Sequence, residues 1–261
     1  MKKTITMEEL RAIQLDILDK IHAFCTERGI RYSLGGGTLL GAVRHKGYIP
    51  WDDDIDIMLP RPDYDRFLKE FEGLYSQYTL QTYMNDDSYS FPFAKVYDNR
   101  TVLIEDGACN GIYVDVFPID AVPEMNKWSQ YIEHMHKLLR RVVKTTKYYT
   151  FQKGKLLRLK YNIKKIIYGS RESNISKLEA FYHKYIFGQT DYAGAICGVY
   201  AEKELMQRKT FESYITVEFE GRHYMAIRDY DAYLTKHYGD YMQLPPKEKQ
   251  VSHHVFTAYW K

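Results

Sequence analysis

The chain has 261 residues, 45% of them apolar and 27% charged, with a formal net charge of only +3. That balance supports a real core, argues against wholesale disorder, and gives no reason to expect a nucleic-acid partner. The three cysteines, Cys25, Cys109 and Cys197, include no close pair, which argues against a disulfide framework or zinc site and fits a reducing cytoplasm.

The opening MKKTITMEEL turns acidic before any apolar run, so no signal peptide is expected. No stretch approaches about 18 uninterrupted apolar residues, so no transmembrane helix is expected. Thr6 and Glu9 form a candidate capping box, and Leu10, Ile13, Ile17, Ile21 and Phe24 keep helical spacing until Gly29. A short strand is predicted over 30–34, broken by Gly35-Gly36-Gly37, with a short helix over 38–44 behind the glycines. Residues 54–59 alternate acidic and apolar side chains and read as a strand that Pro60 and Pro62 end. A helix with Tyr64, Phe67, Leu68 and Phe71 on one face follows. Strands are predicted over 78–84, 91–97, 101–104 and 111–117. From about 124 the pattern turns helical, with further helices at 174–187 and 229–237. The fold class read from this order is α+β: a mixed sheet flanked by helices, with a mostly helical C-terminal half. The divisions are a core over 1–122, a basic helical region over 123–210, and a segment over 211–261 that packs back on the core.

The informative stretch is LGGGTLLGAVRHKGYIPWDDDIDIMLP. Side chains two apart on a strand share a face, so Asp54 and Asp56 project together while Ile55 and Ile57 face the core. Adjacent carboxylates repel, and a hard divalent cation relieves that repulsion. A bare Asp-x-Asp is weak; between apolar residues on a predicted strand it says more. Gly36 and Gly37, followed by Thr38, can form an anion nest at a helix N-terminus. Asp115, in GIYVDVFP, sits among apolar neighbours: a third metal carboxylate, the base for an attacking hydroxyl, or an acid of the turn near Pro118. Asp120 reads as a turn residue. Arg44 and Lys46 can reach phosphate or form a solvated loop, and Lys95 can contact phosphate or simply edge a strand. Trp51 can wall a pocket, stack on a base, face a choline-type cation, or pack. Asp52 and Asp53 read as loop support, and His253 and His254 are not expected to take part in the chemistry.

The run GGTLLGAVRHKGYIPWDDDIDIMLPRPDYDRF resembles the signature of the LicD family of phosphotransferases, related to fukutin-type proteins. Lys95-Val96-Tyr97-Asp98, GIYVDVFPID, Phe219-Glu220-Gly221-Arg222 and Tyr238-Gly239-Asp240-Tyr241-Met242 extend the resemblance over about 25–122 and again near 217–254. It implies a nucleotidyltransferase-type fold that transfers an alcohol phosphate from a CDP-activated donor, with Mg²⁺ (or Mn²⁺). The acceptor implied is a hydroxyl of a cell-surface glycan or its lipid-linked precursor. The glycine motif then falls on Gly36 and Gly37, the metal carboxylates on Asp54 and Asp56, and the third acid on Asp115.

From His134 through Arg171 there are twelve Lys or Arg and no acidic residue. Such a stretch suits peripheral contact with an anionic membrane at its cytoplasmic face, or a solvated helix face; nucleic acid is the weakest option. Two further functions compete with alcohol-phosphate transfer. One is transfer of a nucleoside monophosphate to a small molecule or protein. The other is a non-catalytic glycan- or nucleotide-binding module, whose expected mark would be loss of a metal carboxylate or of the glycine pair.

Overall fold

A computed structural model describes residues 3–105, 108–146, 163, 166–198, 201–252 and 256–261. Helix α1 (Met7–Arg28) opens on the capping box: the Glu9 amide donates to Thr6 Oγ1 and the Thr6 amide to Glu9 Oε2. It buries the five expected apolar residues and stops at Gly29, whose φ of 60° is left-handed. Strand β1 (Ser33–Leu34) is shorter than expected, and helix α2 (Gly36–His45) starts earlier, on the glycines themselves. Gly36 takes φ +45°, which costs a residue without Cβ little, so the glycines become the first helical turn rather than a loop before it.

Strand β2 (Asp56–Pro60) leads directly into α3 (Arg61–Phe71), which buries Tyr64, Phe67, Leu68 and Phe71. β3 (Tyr78–Gln81), β4 (Ala94–Asp98), β5 (Thr101–Glu105), β6 (Ala108–Asn110) and β7 (Tyr113–Val122) follow. The main sheet has the order β1-β2-β7-β4-β3, parallel only between β2 and β7. Strand β7 runs five residues beyond its predicted end. Asp120 therefore lies inside a strand, not in the expected turn. Pro118 is tolerated because, on that edge of β7, the register to β4 ends at Val116 and the next partner begins at Asp120.

Helix α4 (Trp128–Thr145) packs on α5 (Arg171–Tyr182) through a second apolar cluster that includes Tyr131, Met135, Leu138, Val142, Leu178 and Phe181. Buried Arg171 ties this unit to the 82–89 loop, donating to the Tyr83 and Tyr89 carbonyls and to Thr146 Oγ1. Beyond it the chain is less helical than expected. β8 (Tyr192–Gly194) pairs with β7 and β9 (Met206–Gln207), with the short α6 (Ala201–Glu204) between. β10 (Tyr214–Phe219) and β11 (Arg222–Ile227) form a hairpin around Glu220-Gly221. After α7 (Tyr230–Tyr238), β12 (Phe256–Trp260) pairs antiparallel with β5. The last segment thus packs on the first part of the chain: the Ile227 amide donates to Ser33 Oγ and the Ile5 amide to the Ala258 carbonyl. Among the described residues no helix is long and apolar enough to cross a membrane. Residues 147–162 and 164–165 of the basic stretch, and His253 and His254, lie outside the described residues.

Candidate active site

Strand register builds the centre of the site. Asp56 on β2 stands opposite Asp115 on β7, and Asp115 stands opposite Lys95 on β4. Directly opposed residues share a face, so three charged side chains form one row across three strands. Lys95 is buried, with Nζ 2.7 Å from Asp115 Oδ1 and 3.3 Å from the centre of the Tyr113 ring. Phe91 and Phe93 flank it at 5.5 and 5.7 Å. A buried ammonium is sustained by such a carboxylate and by aromatic faces.

The glycine turn lies against this row. The Gly35 amide donates to the Asp56 carbonyl at 2.9 Å, and the Asp56 amide donates to Thr38 Oγ1 at 2.9 Å. A Cβ on Gly36 would sit 3.1 Å from Asp56 Oδ2, and one on Gly37 would sit 2.8 Å from Asp52 Oδ2. The first intrahelical bond of α2 runs from the Leu39 amide to the Gly35 carbonyl, so the Gly37 and Thr38 amides have no acceptor within the helix.

The acidic loop is held from behind by α1. Arg11 Nη2 donates to the carbonyls of Pro50 and Asp52, and Gln14 Nε2 to that of Asp53. Tyr48 OH donates to Gln14 Oε1. The Asp53 side chain is buried and accepts a hydrogen bond from Ser252 Oγ at 2.6 Å, in keeping with a loop-supporting role. Asp52, by contrast, faces the glycine turn. Asp52, Asp53 and Asp54 each offer an oxygen within 4.8 Å of one another, an arrangement able to hold a metal ion. Asp54 lies just before β2 rather than within it. Burial pushes the Asp56 carboxyl well above the ordinary carboxylate range, and the charges of Asp54, Asp115 and Asp52 push it further, against a smaller opposing pull from Lys95. The set is oxygen-only and over-charged, which suits a hard divalent cation.

Arg44 Nη1 donates to the Tyr241 and Gln243 carbonyls, so its guanidinium ties α2 to the C-terminal segment. Lys46 is exposed at the left-handed end of α2, and half-buried Trp51 packs on the main core. Residues not singled out from sequence also reach the site. The buried Tyr233 hydroxyl lies 3.3 Å from Glu204 Oε2 and is near enough to the glycine turn for the Gly36 amide to act on it. Tyr238 is 45% exposed as a whole, yet desolvation and then the fields of Asp56, Glu204, Asp52 and Asp54 push its phenol up. Their separation from the glycine turn by some two hundred residues hides them from local pattern; only the Tyr238-Gly239-Asp240 motif marked the region.

The family model described as LicD/FKTN/FKRP, nucleotidyltransferase domain, matches residues 29–160. Lipopolysaccharide cholinephosphotransferase LicD of Haemophilus influenzae is 35% identical to the chain over 271 residues, covering 98% of the chain and 99% of that protein. Ribitol 5-phosphate transferase FKRP of Homo sapiens is 30% identical over 90 residues, which is 34% of the chain and 17% of that protein. Uncharacterized protein RT0683 of Rickettsia typhi is 38% identical over 76 residues, 28% of the chain and 25% of its own length.

Proposed function

The chain belongs to the LicD/FKTN/FKRP family, and from that membership we propose that it moves an alcohol phosphate of the phosphocholine type from a CDP-activated donor to a hydroxyl of a cell-surface glycan or its lipid-linked precursor. It is a transferase of phosphorus-containing groups. One observation carries the finer reading: a helix N-terminus made of glycine packs directly on a row of crowded carboxylates.

Each part of that arrangement has a role in phosphoryl transfer, which needs positioning and charge neutralisation more than covalent help. Asp54 and Asp56, with Asp115 as third acid and Asp52 beside them, would hold Mg²⁺ or Mn²⁺, which when bound supplies neutralisation of phosphate charge. The Gly37 and Thr38 amides point their dipoles at the anionic donor. Lys95 orients the Asp115 carboxylate, which in this reading also takes the proton of the attacking hydroxyl. The acceptor oxygen bonds to the phosphorus that carries the alcohol, the bond from that phosphorus to the bridging oxygen breaks, and CMP leaves. Exposed Lys46 and half-buried Trp51 would be the donor contacts in this reading. The basic middle serves peripheral contact with an anionic membrane where a lipid-linked acceptor would be found.

The test is CMP release by the purified protein with Mg²⁺ and CDP-choline, CDP-glycerol, CDP-ribitol or CDP-ethanolamine, with and without glycan acceptor. Asp54→Ala and Asp56→Ala should each lower release at least about 100-fold while keeping the unfolding transition. Near-normal turnover in either variant overturns the assignment.

A further inference from the structure

The face between α4 and α5 carries a cleft of about 660 Å³ that no step above uses. Its rim is cationic, with Lys127 and Arg141 on the α4 side and Lys177 and Lys184 on the α5 side, and no carboxylate among the described residues lines it. Its floor is aromatic. Tyr131 and Phe181 stack with centroids 4.4 Å apart, and the buried Tyr131 hydroxyl has no hydrogen-bond partner among the described residues. Such a cationic rim suits a ligand that carries phosphate groups.

Position narrows the choice of ligand. Pro123 lines the cleft and follows β7, eight residues beyond Asp115, which at about 3.3 Å per residue places it roughly 26 Å from the carboxylate row. A nucleotide-activated donor with its diphosphate at the carboxylates is too short to reach there. The acceptor of a glycan-modifying transferase is not. We infer that the α4–α5 cleft is a remote acceptor subsite that binds a phosphate-bearing stretch of glycan. The inference rests on the glycan-acceptor reading above and adds where, and by what chemistry, the acceptor is held.

The test is binding without donor, which keeps it separate from the fate of the transfer reaction. The full-length protein is titrated with a phosphorylated lipopolysaccharide core oligosaccharide, with the same oligosaccharide after enzymatic dephosphorylation, with inorganic phosphate, and with vesicles containing phosphatidylglycerol. Arg141→Glu/Lys184→Glu, at the solvent-facing rim, should weaken the phosphorylated oligosaccharide at least tenfold and leave CDP-choline affinity and the unfolding transition unchanged. The dephosphorylated oligosaccharide should bind the unaltered protein at least tenfold more weakly than the phosphorylated one. Equal affinity of the two oligosaccharides, equal affinity of the two proteins, or a loss confined to vesicles or inorganic phosphate overturns the subsite. Absence of CMP release from any CDP-alcohol would instead overturn the transfer reading while leaving this measurement intact.

Discussion

Gly36 shows how much of the site depends on one missing methyl group. Its φ of +45° is strained for any L side chain, and a Cβ there would press on Asp56 Oδ2 at 3.1 Å. Gly36→Ala should cost about 1 kcal/mol of stability yet lower kcat/KM at least about tenfold, because it displaces the carboxylate and the first turn of α2 together. Steady-state kinetics beside thermal unfolding checks this; a variant with unchanged kcat/KM would show that the turn does not shape the site. Alternation in IDI put Asp54 and Asp56 on one strand face, whereas Asp54 lies just before β2 and reaches Asp56 through its charge. The Asp56–Asp115–Lys95 row was not legible, because it depends on the register of strands separated by twenty to sixty residues. Lys95 could be read as a phosphate contact only while its partner was unknown.

Elements explain where local reading succeeded and failed. Helices α1 and α3 follow from spacing and caps, so their apolar faces are visible in sequence. The hairpin β10–β11 was missed although Glu220-Gly221 marks its turn, and Asp120 was misplaced because Pro118 reads as a stop when strand partners are unknown. Asp120 is instead fully buried and receives both Arg61 Nε and Nη2, at 2.6 and 2.8 Å, which clamps the start of α3 to β7. Arg61→Met leaves that carboxylate buried without its cation and should cost about 3–5 kcal/mol in urea unfolding; a loss below about 1 kcal/mol would mean the clamp is not structural. The same α3 reaches α5 through His183 Nε2, 2.9 Å from Asp65 Oδ2. The hydrogen bond to Asp65 raises the His183 imidazole to about 9, against a smaller opposing effect of burial. A raised histidine stabilises fully below its ordinary value of 6.5 and loses that contribution as pH rises through 9. The pair is half exposed, so solvent screening holds the contribution to about 1 kcal/mol. Urea midpoints at pH 6 and pH 9.5 should therefore converge in His183→Gln relative to the unaltered protein, and an unchanged pH difference would remove the interaction from the account.

At the scale of the molecule, the site is assembled from both ends of the chain. α1 props the acidic loop, the glycine turn and two central strands supply the charged row, and Tyr233, Ser252 and the Tyr241 carbonyl close in from the last segment. Local pattern identified the first motifs and the α+β class, while the closing contacts appear only once the C-terminal segment is folded back. Which phosphorus is attacked then decides between the two enzymatic readings, and ³¹P NMR of a single reaction observes it directly. With Mg²⁺, CDP-choline and a glycan acceptor, the diphosphate doublets should be replaced by the resonances of CMP and of a phosphocholine diester on the acceptor. Free phosphocholine together with a cytidylylated acceptor would contradict it.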